Sequence, residues 1–420
     1  WLRCGGGWLG VGLVVRGLSF RHMVLSASAV DVPAIVPKDG IFSCTVTLAF
    51  SGIGAGILSL PWALSTWGLL GGAVVLAVTA SLSCLSCCVL LAARRQCQGA
   101  EGYAGVIAAY WPHAWAVNLV VLLDCFGALV VYVDYCAEAV LATAVAFGWP
   151  PLSPALVKAG FCAAAVPLSM PRSITRAASF SPLCLTALAY ICALVVLQAF
   201  TGGPEGSAEG GSVELFTVSR SSLEGTCAFF FSFVSQMNIF DVMDTLSDPT
   251  PKRKQRVAMF ATLLMFGAYA LVSSCGYVAF GSEVHADVLE NFPPKRFDVV
   301  FANIAMVGML LICFVLALYP VRKSILALWS PGEESGAQAW LASTLLVAAA
   351  AATVAIAFPS IVSALNLFGG FFAPCIIFVF PALTLRISEA PGRAAALYGA
   401  ALVGFASVAR TVLQASGIAS

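Results

Sequence analysis

Long apolar runs separated by short polar ones divide this chain into eleven stretches, each near the roughly 20 residues that a membrane-crossing helix needs. They are Ile41–Trp67, Leu69–Ala93, Trp115–Phe147, Ala155–Met170, Phe180–Phe200, Leu223–Met243, Val257–Phe280, Phe297–Pro320, Trp340–Phe358, Ile361–Leu385 and Ala394–Ala415. The third is long enough to tilt or to end in a vestibule. Two of the stretches are interrupted. The first contains Gly52-Ile53-Gly54-Ala55-Gly56-Ile57-Leu58-Ser59-Leu60-Pro61, with three alternate glycines. Each glycine costs a helix roughly 1 kcal/mol relative to alanine. The sixth contains Phe229-Phe230-Phe231-Ser232-Phe233-Val234-Ser235-Gln236-Met237-Asn238, where polar groups interrupt an aromatic run. A backbone group freed inside hydrocarbon must find a partner in the protein or in a watery cavity. Both breaks are therefore expected to turn away from lipid.

The pattern predicts an all-α polytopic membrane protein. Eleven spans divide into two five-span halves, about 41–200 and about 223–386, with an extra helix at about 394–415. Spans one and six are then equivalent. Discontinuous helices in matching positions of two halves point to a mid-membrane site between inverted repeats. Half-helix N-termini there offer N–H groups to a carboxylate, and freed carbonyls suit an ammonium, so the pair fits a zwitterion. The glycines are equally open to a reading as notches for close helix packing.

Composition agrees with the pattern. The chain is 60% hydrophobic and 10% charged over 420 residues, with a mean hydropathy of +0.96. Soluble domains carry about 25% charged residues. With the N-terminus placed in the cytosol, 16 of the 21 basic residues face inward and 5 outward. Residues 1–40 are then a cytosolic segment. The chain opens on Trp1, and Met23 is a plausible initiator; without the residues before it the balance is still 13 to 5. The Gly-rich stretch Thr201–Arg220 reads as a flexible outer linker. Most of the 15 cysteines sit in apolar spans, where they act as small hydrophobes. No basic run with interleaved aromatics suggests nucleic acid. No metal spacing, phosphate loop or catalytic constellation appears, so neither an enzyme nor a cofactor is expected.

Span three carries Asp124, Asp134 and Glu138. Acids inside a span are costly and are candidates for function. Asp134 and Glu138 are four apart and share a face; Asp124 precedes Asp134 by ten residues and falls in a broad sector of it. The Asp134–Glu138 pair is suited to carrying a coupling proton. The alternatives are that it binds the side chain of a cationic amino acid, or that it is simply solvated near the outer water. Asp241 and Asp244, near the inner end of span six, read as interfacial or as gate residues paired with Arg322 or Lys323. Gly369 and Gly370 in span ten read as a hinge or a packing notch.

Several of these segments resemble the amino acid/auxin permease family, which includes the system A and system N neutral amino acid transporters. The residues that carry the resemblance are Gly52–Pro61, Asn238–Pro249, Gly276-Tyr277-Val278-Ala279-Phe280-Gly281 with Asp287-Val288-Leu289-Glu290-Asn291-Phe292-Pro293, and Tyr319-Pro320-Val321-Arg322. The resemblance covers roughly Ile41 to Arg386. It implies a LeuT-like fold of 5+5 inverted repeats, about eleven helices and coupled amino acid transport across a plasma, vacuolar or lysosomal membrane. Sodium-coupled members place an Asn where this chain has Phe50, and a Thr where Cys313 stands. Sodium prefers oxygen ligands, so proton coupling, exchange or facilitated movement fits this chain better. By the same resemblance, the substrate carboxylate would meet N–H groups around Gly54, Ala55, Gly56 and Ile57. The amine would meet carbonyls near Phe50, Ser51 and Gly52 and near Phe231, Ser232, Phe233 and Val234, with Ile53 and Ser235 also in the binding site and Phe233 as a gate. The rival expectation is a membrane amino-acid sensor with a transporter fold and little flux.

Overall fold

The computed structural model describes residues 39–54, 56–97, 99–171, 181–201, 211–219, 221–329, 336–357, 361–385 and 390–415. All fall in one compact unit, Lys38–Ser420. The N-terminal segment with Met23, Ala55 of the glycine motif, and Arg172, Arg176 and Arg386 lie outside the described residues.

Among the described residues the structure is helical, with no strand. In chain order the α-helices are α1 (Ile41–Gly52), α2 (Gly56–Ser65), α3 (Leu69–Gln96), α4 (Gly102–Ala108), α5 (Ala114–Ala146), α6 (Pro154–Leu168), α7 (Ser181–Thr201) and α8 (Ser222–Ser232). They continue as α9 (Ile239–Thr245), α10 (Pro251–Phe280), α11 (Phe297–Trp329), α12 (Ala337–Ala357), α13 (Ile361–Leu367), α14 (Phe380–Leu383) and α15 (Pro391–Ala415). Eight helical segments are long and apolar enough to cross a membrane, and the bent pair α1–α2 makes a ninth. Two shorter apolar helices, α6 and residues 186–201 of α7, fall below that length. Each of the eleven predicted spans coincides with one of these segments.

Local chemistry sets the boundaries. Pro154 and Pro251 stand in the first turns of α6 and α10, where a missing N–H costs nothing. Thr250 caps α10 by accepting from the Arg253 N–H at 3.4 Å. Gly68 takes φ +75° between α2 and α3, a turn that favours glycine. The entry to α1 is tied to the exit from α9: Asp39 N–H donates to the Thr245 carbonyl at 2.8 Å, and Ser247 N–H to the Asp39 carbonyl at 2.9 Å. Spans one and six thus meet at one end as well as in the middle.

Two features differ from the sequence expectation. Residues 213–217, expected to be flexible, are held down. Leu69 and Leu70 N–H donate to the Glu214 and Leu215 carbonyls at 2.8 and 2.9 Å, and the Tyr277 hydroxyl accepts from Glu214 N–H at 3.0 Å. Span ten is not a plain α-helix either: π-helical turns occupy Phe368–Phe372 and Cys375–Val379. A methyl group at Gly369 would overlap the Cys227 carbonyl of α8, so this glycine is a packing notch.

Candidate functional site

Both predicted breaks are present. Span one bends by 64° between α1 and α2, whereas span six runs through its break as one 24-residue segment, Ser222–Thr245. In span six, α8 stops at Ser232 and a 3-10 turn, Gln236–Asn238, leads into α9. The α-helical hydrogen-bond ladder cannot run through either gap, so the flanking peptide groups need other partners. Side chains from neighbouring helices supply them. The Tyr269 hydroxyl of α10 lies within reach of the Ser232 carbonyl at 2.7 Å and the Gly52 carbonyl at 3.3 Å. One buried phenol therefore bridges the broken ends of both spans. The Cys313 thiol of α11 donates to the Ile53 carbonyl at 3.3 Å, and the Ser83 hydroxyl of α3 to the Phe233 carbonyl at 3.4 Å. Gln236 accepts from Ser235 N–H and donates to Ser83, each at 2.9 Å.

The glycines serve both readings that the sequence left open. A methyl group at Gly54 would overlap the Tyr132 ring of α5, and one at Gly56 would overlap the Ser232 hydroxyl. Only glycine lets the two breaks come this close. Between them lies a cavity of about 30 Å³. That is room for one or two water molecules and less than an amino acid requires.

Of the thirteen predicted binding residues, Phe50, Ser51, Gly52, Gly54, Gly56, Phe231, Ser232 and Val234 line this cavity. Ile53, Ile57, Phe233 and Ser235 do not, although all four are buried. Ala55 lies outside the described residues. Phe233, expected as a gate, instead packs edge-on against Tyr269 with ring centroids 5.1 Å apart. The carbonyls of Phe231, Ser232 and Phe233, expected to receive the amine, are already taken by Val234 N–H, Tyr269 and Ser83.

The acids sort differently from the sequence reading. Asp134 is in an ion pair with Lys158 of α6 at 2.7 Å, and the same ammonium donates to the Ala355 carbonyl of α12 at 2.7 Å. Glu138 has a buried oxygen without a hydrogen-bond partner and neighbours Asp287 and Glu290 of the loop after α10. Neither acid lines the cavity. Asp124 does. Asp244, expected as interfacial or as a gate residue with Arg322 or Lys323, pairs instead with Arg94 at 2.9 Å, and the Lys323 side chain lies outside the described residues. Arg322 is only 1% exposed; it bonds the Ser169 carbonyl and, at 3.1 Å, the Thr344 hydroxyl. Its guanidinium lies 4.0 Å above the Trp340 ring.

The sequence reading missed Tyr269, Tyr132 and Lys158 as partners. Their signal was a polar atom inside an apolar run, which in hydrocarbon demands a partner. No pattern in the chain says which partner.

Known proteins resemble the chain along most of its length. The family described as transmembrane amino acid transporter protein matches residues 37–390. Vacuolar amino acid transporter 6 of Saccharomyces cerevisiae is 22% identical over 68% of this chain and 65% of its own length. Vacuolar amino acid transporter 5 of Schizosaccharomyces pombe is 26% identical over 72% of each. Sodium-coupled neutral amino acid transporter 7 of Xenopus laevis is 27% identical over 53% of this chain and 52% of its own. The chain thus spans about two thirds of the first of these relatives and about half of the third. Among solved structures, a nucleobase-cation-symport-1 family transporter in a closed conformation with bromovinylhydantoin bound superposes with a TM-score of 0.58. It covers 90% of this chain and 94% of that one at 15% identity, a likeness of fold, and that fold is LeuT-like. On the strength of the family match and this architecture, the chain belongs to the transmembrane amino acid transporter family.

Proposed function

We propose that this protein is a secondary active carrier of amino acids that works by alternating access. The observation that carries the proposal is the meeting of two interrupted spans around a small cavity, their ends joined by the Tyr269 hydroxyl. The names of the relatives, all amino acid transporters, support the substrate class. The substrate carboxylate docks at the N-terminus of α2, where first-turn N–H groups lack helical acceptors. The amine docks at the end of α1, near Phe50 and Ser51. Because the cavity is smaller than an amino acid, entry requires the broken spans to part from α5 and α11. Spans one, two, six and seven then move as one body. Tyr269 belongs to span seven and holds spans one and six together during that motion.

The ion is proposed to be a proton. At the two positions where sodium-coupled members offer oxygen, this chain has Phe50 and a Cys313 thiol already engaged with the Ile53 carbonyl. Neither side chain brings a hard oxygen ligand. Of the predicted pair, Glu138 is the coupling candidate, since Asp134 is held by Lys158. The membrane is proposed to be vacuolar or lysosome-like, with the plasma membrane as the alternative, and the N-terminus is proposed to be cytosolic.

The test is uptake of radiolabelled amino acids into proteoliposomes, with sodium and pH varied independently. Uptake that follows an imposed proton gradient and ignores sodium is expected. Saturable binding without flux would instead favour the sensor.

A further inference from the structure

We propose that Asp124 and Asn238 form a subsite for the distal cation of a basic amino acid, making lysine- or arginine-like molecules preferred substrates. This deepens the carrier reading and rests on it. Asp124 lies on α5 and Asn238 on the 3-10 turn after the span-six break; both line the cavity. They are 2% and 3% exposed. Each has a side-chain oxygen, Oδ1, shut off from solvent and without a hydrogen-bond partner. Among the described residues no cationic side chain pairs with Asp124, in contrast to Asp134, Asp244 and Asp298, which all have one. Two acceptors that converge on one buried space call for a donor, and a carboxylate there calls for positive charge.

The rest of the cavity suits the remainder of such a molecule. Cys125, Ala128, Met237, Leu316 and Ala317 give a mostly apolar wall for a methylene chain. The length also matches. Gly54, at the carboxylate end, packs on Tyr132, which lies eight residues beyond Asp124 on the same helix. Eight residues rise about 12 Å along α5. An extended lysine spans about 7.5 Å from carboxyl carbon to ammonium nitrogen. A hydrogen bond of about 2.9 Å at each end lets it bridge both poles. Alanine cannot reach Asp124, and the neutral amide of glutamine brings no charge to it.

Counterflow into proteoliposomes preloaded with alanine tests the assignment, with lysine, arginine, ornithine, glutamine and alanine as competitors. The basic amino acids are expected to compete at least tenfold better than glutamine or alanine. Asp124→Asn is close to isosteric and should lower the ratio of lysine to alanine uptake at least tenfold, while Asp124→Glu should restore most of it. Thermal melting with and without lysine provides a second reading on any variant that moves no substrate: lysine should raise the melting temperature of the wild type more than of Asp124→Asn. Amino acid flux without a basic preference would overturn the subsite and leave the carrier reading standing. So would an unchanged lysine-to-alanine ratio in Asp124→Asn, including the case where that variant loses only its pH dependence, which would mark Asp124 as the proton site. No flux of any amino acid would overturn the carrier reading itself.

Discussion

At the scale of single residues, one phenol does most to explain why two broken helices are tolerated. Tyr269→Phe leaves the Ser232 and Gly52 carbonyls without their shared donor in a buried place. An unsatisfied buried group costs about 1–3 kcal/mol. The variant should melt at a lower temperature and transport more slowly, even though the ring still packs on Phe233. Gly56→Ala should abolish uptake because its methyl group meets the Ser232 hydroxyl. Ser232→Ala removes that oxygen, so uptake by the double variant should partly recover. Asp134 and Lys158 make a second non-additive pair. Lys158→Met strands a buried carboxylate and should cost about 3–5 kcal/mol. Adding Asp134→Asn should return much of that loss, as read by thermal unfolding in detergent. Outside the spans, Asp287 is 5% exposed and accepts from Leu289 N–H at 2.9 Å. Burial pushes its carboxyl up to about 7, against about 3.9 for a free aspartate. The folded loop therefore keeps a proton that the unfolded chain has released. Its contribution to stability is greatest below pH 4, falls as pH rises to about 7 and is level above that. Asp287→Asn should flatten this part of the profile between about pH 4 and 7.

At the scale of elements, apolar length alone located eleven helical segments, nine of them long enough to cross a membrane when the bent pair counts as one, because hydrocarbon thickness sets a nearly fixed count of residues. The two breaks were legible for a related reason. Alternate glycines weaken a helix, and Ser232, Ser235, Gln236 and Asn238 are polar where lipid would reject them. The α4 helix was not legible: seven residues over Gly102–Ala108 are too few to carry a periodic signal. The π turns of span ten were hidden as well, since Phe368–Phe372 and Cys375–Val379 are as apolar as any α-helix. Side-chain partners were the least legible of all. Asp124 and Asp134 looked alike in span three, yet one faces the cavity and the other faces Lys158 on α6. Only the packing of α5 between α6 and the broken spans separates them. The sodium-site departure at Phe50 and Cys313, by contrast, could be read directly from residue type. The structure adds that the Cys313 thiol is occupied.

At the scale of the whole molecule, the arrangement couples a small site to a large motion. Span one meets span six at Asp39–Thr245 and Ser247, at Gly56–Ser232, and through Tyr269. Three connections spaced along the two spans make them turn together, and the cavity can admit a solute only when they swing away from α5 and α11. Exchange across the membrane tests this central claim most directly. Proteoliposomes preloaded with unlabelled amino acid are diluted into labelled amino acid, and the initial uptake is compared with that of empty vesicles. The account predicts faster uptake with the preload, and loss of that acceleration in Gly56→Ala. Saturable binding with no exchange in either preparation would contradict it.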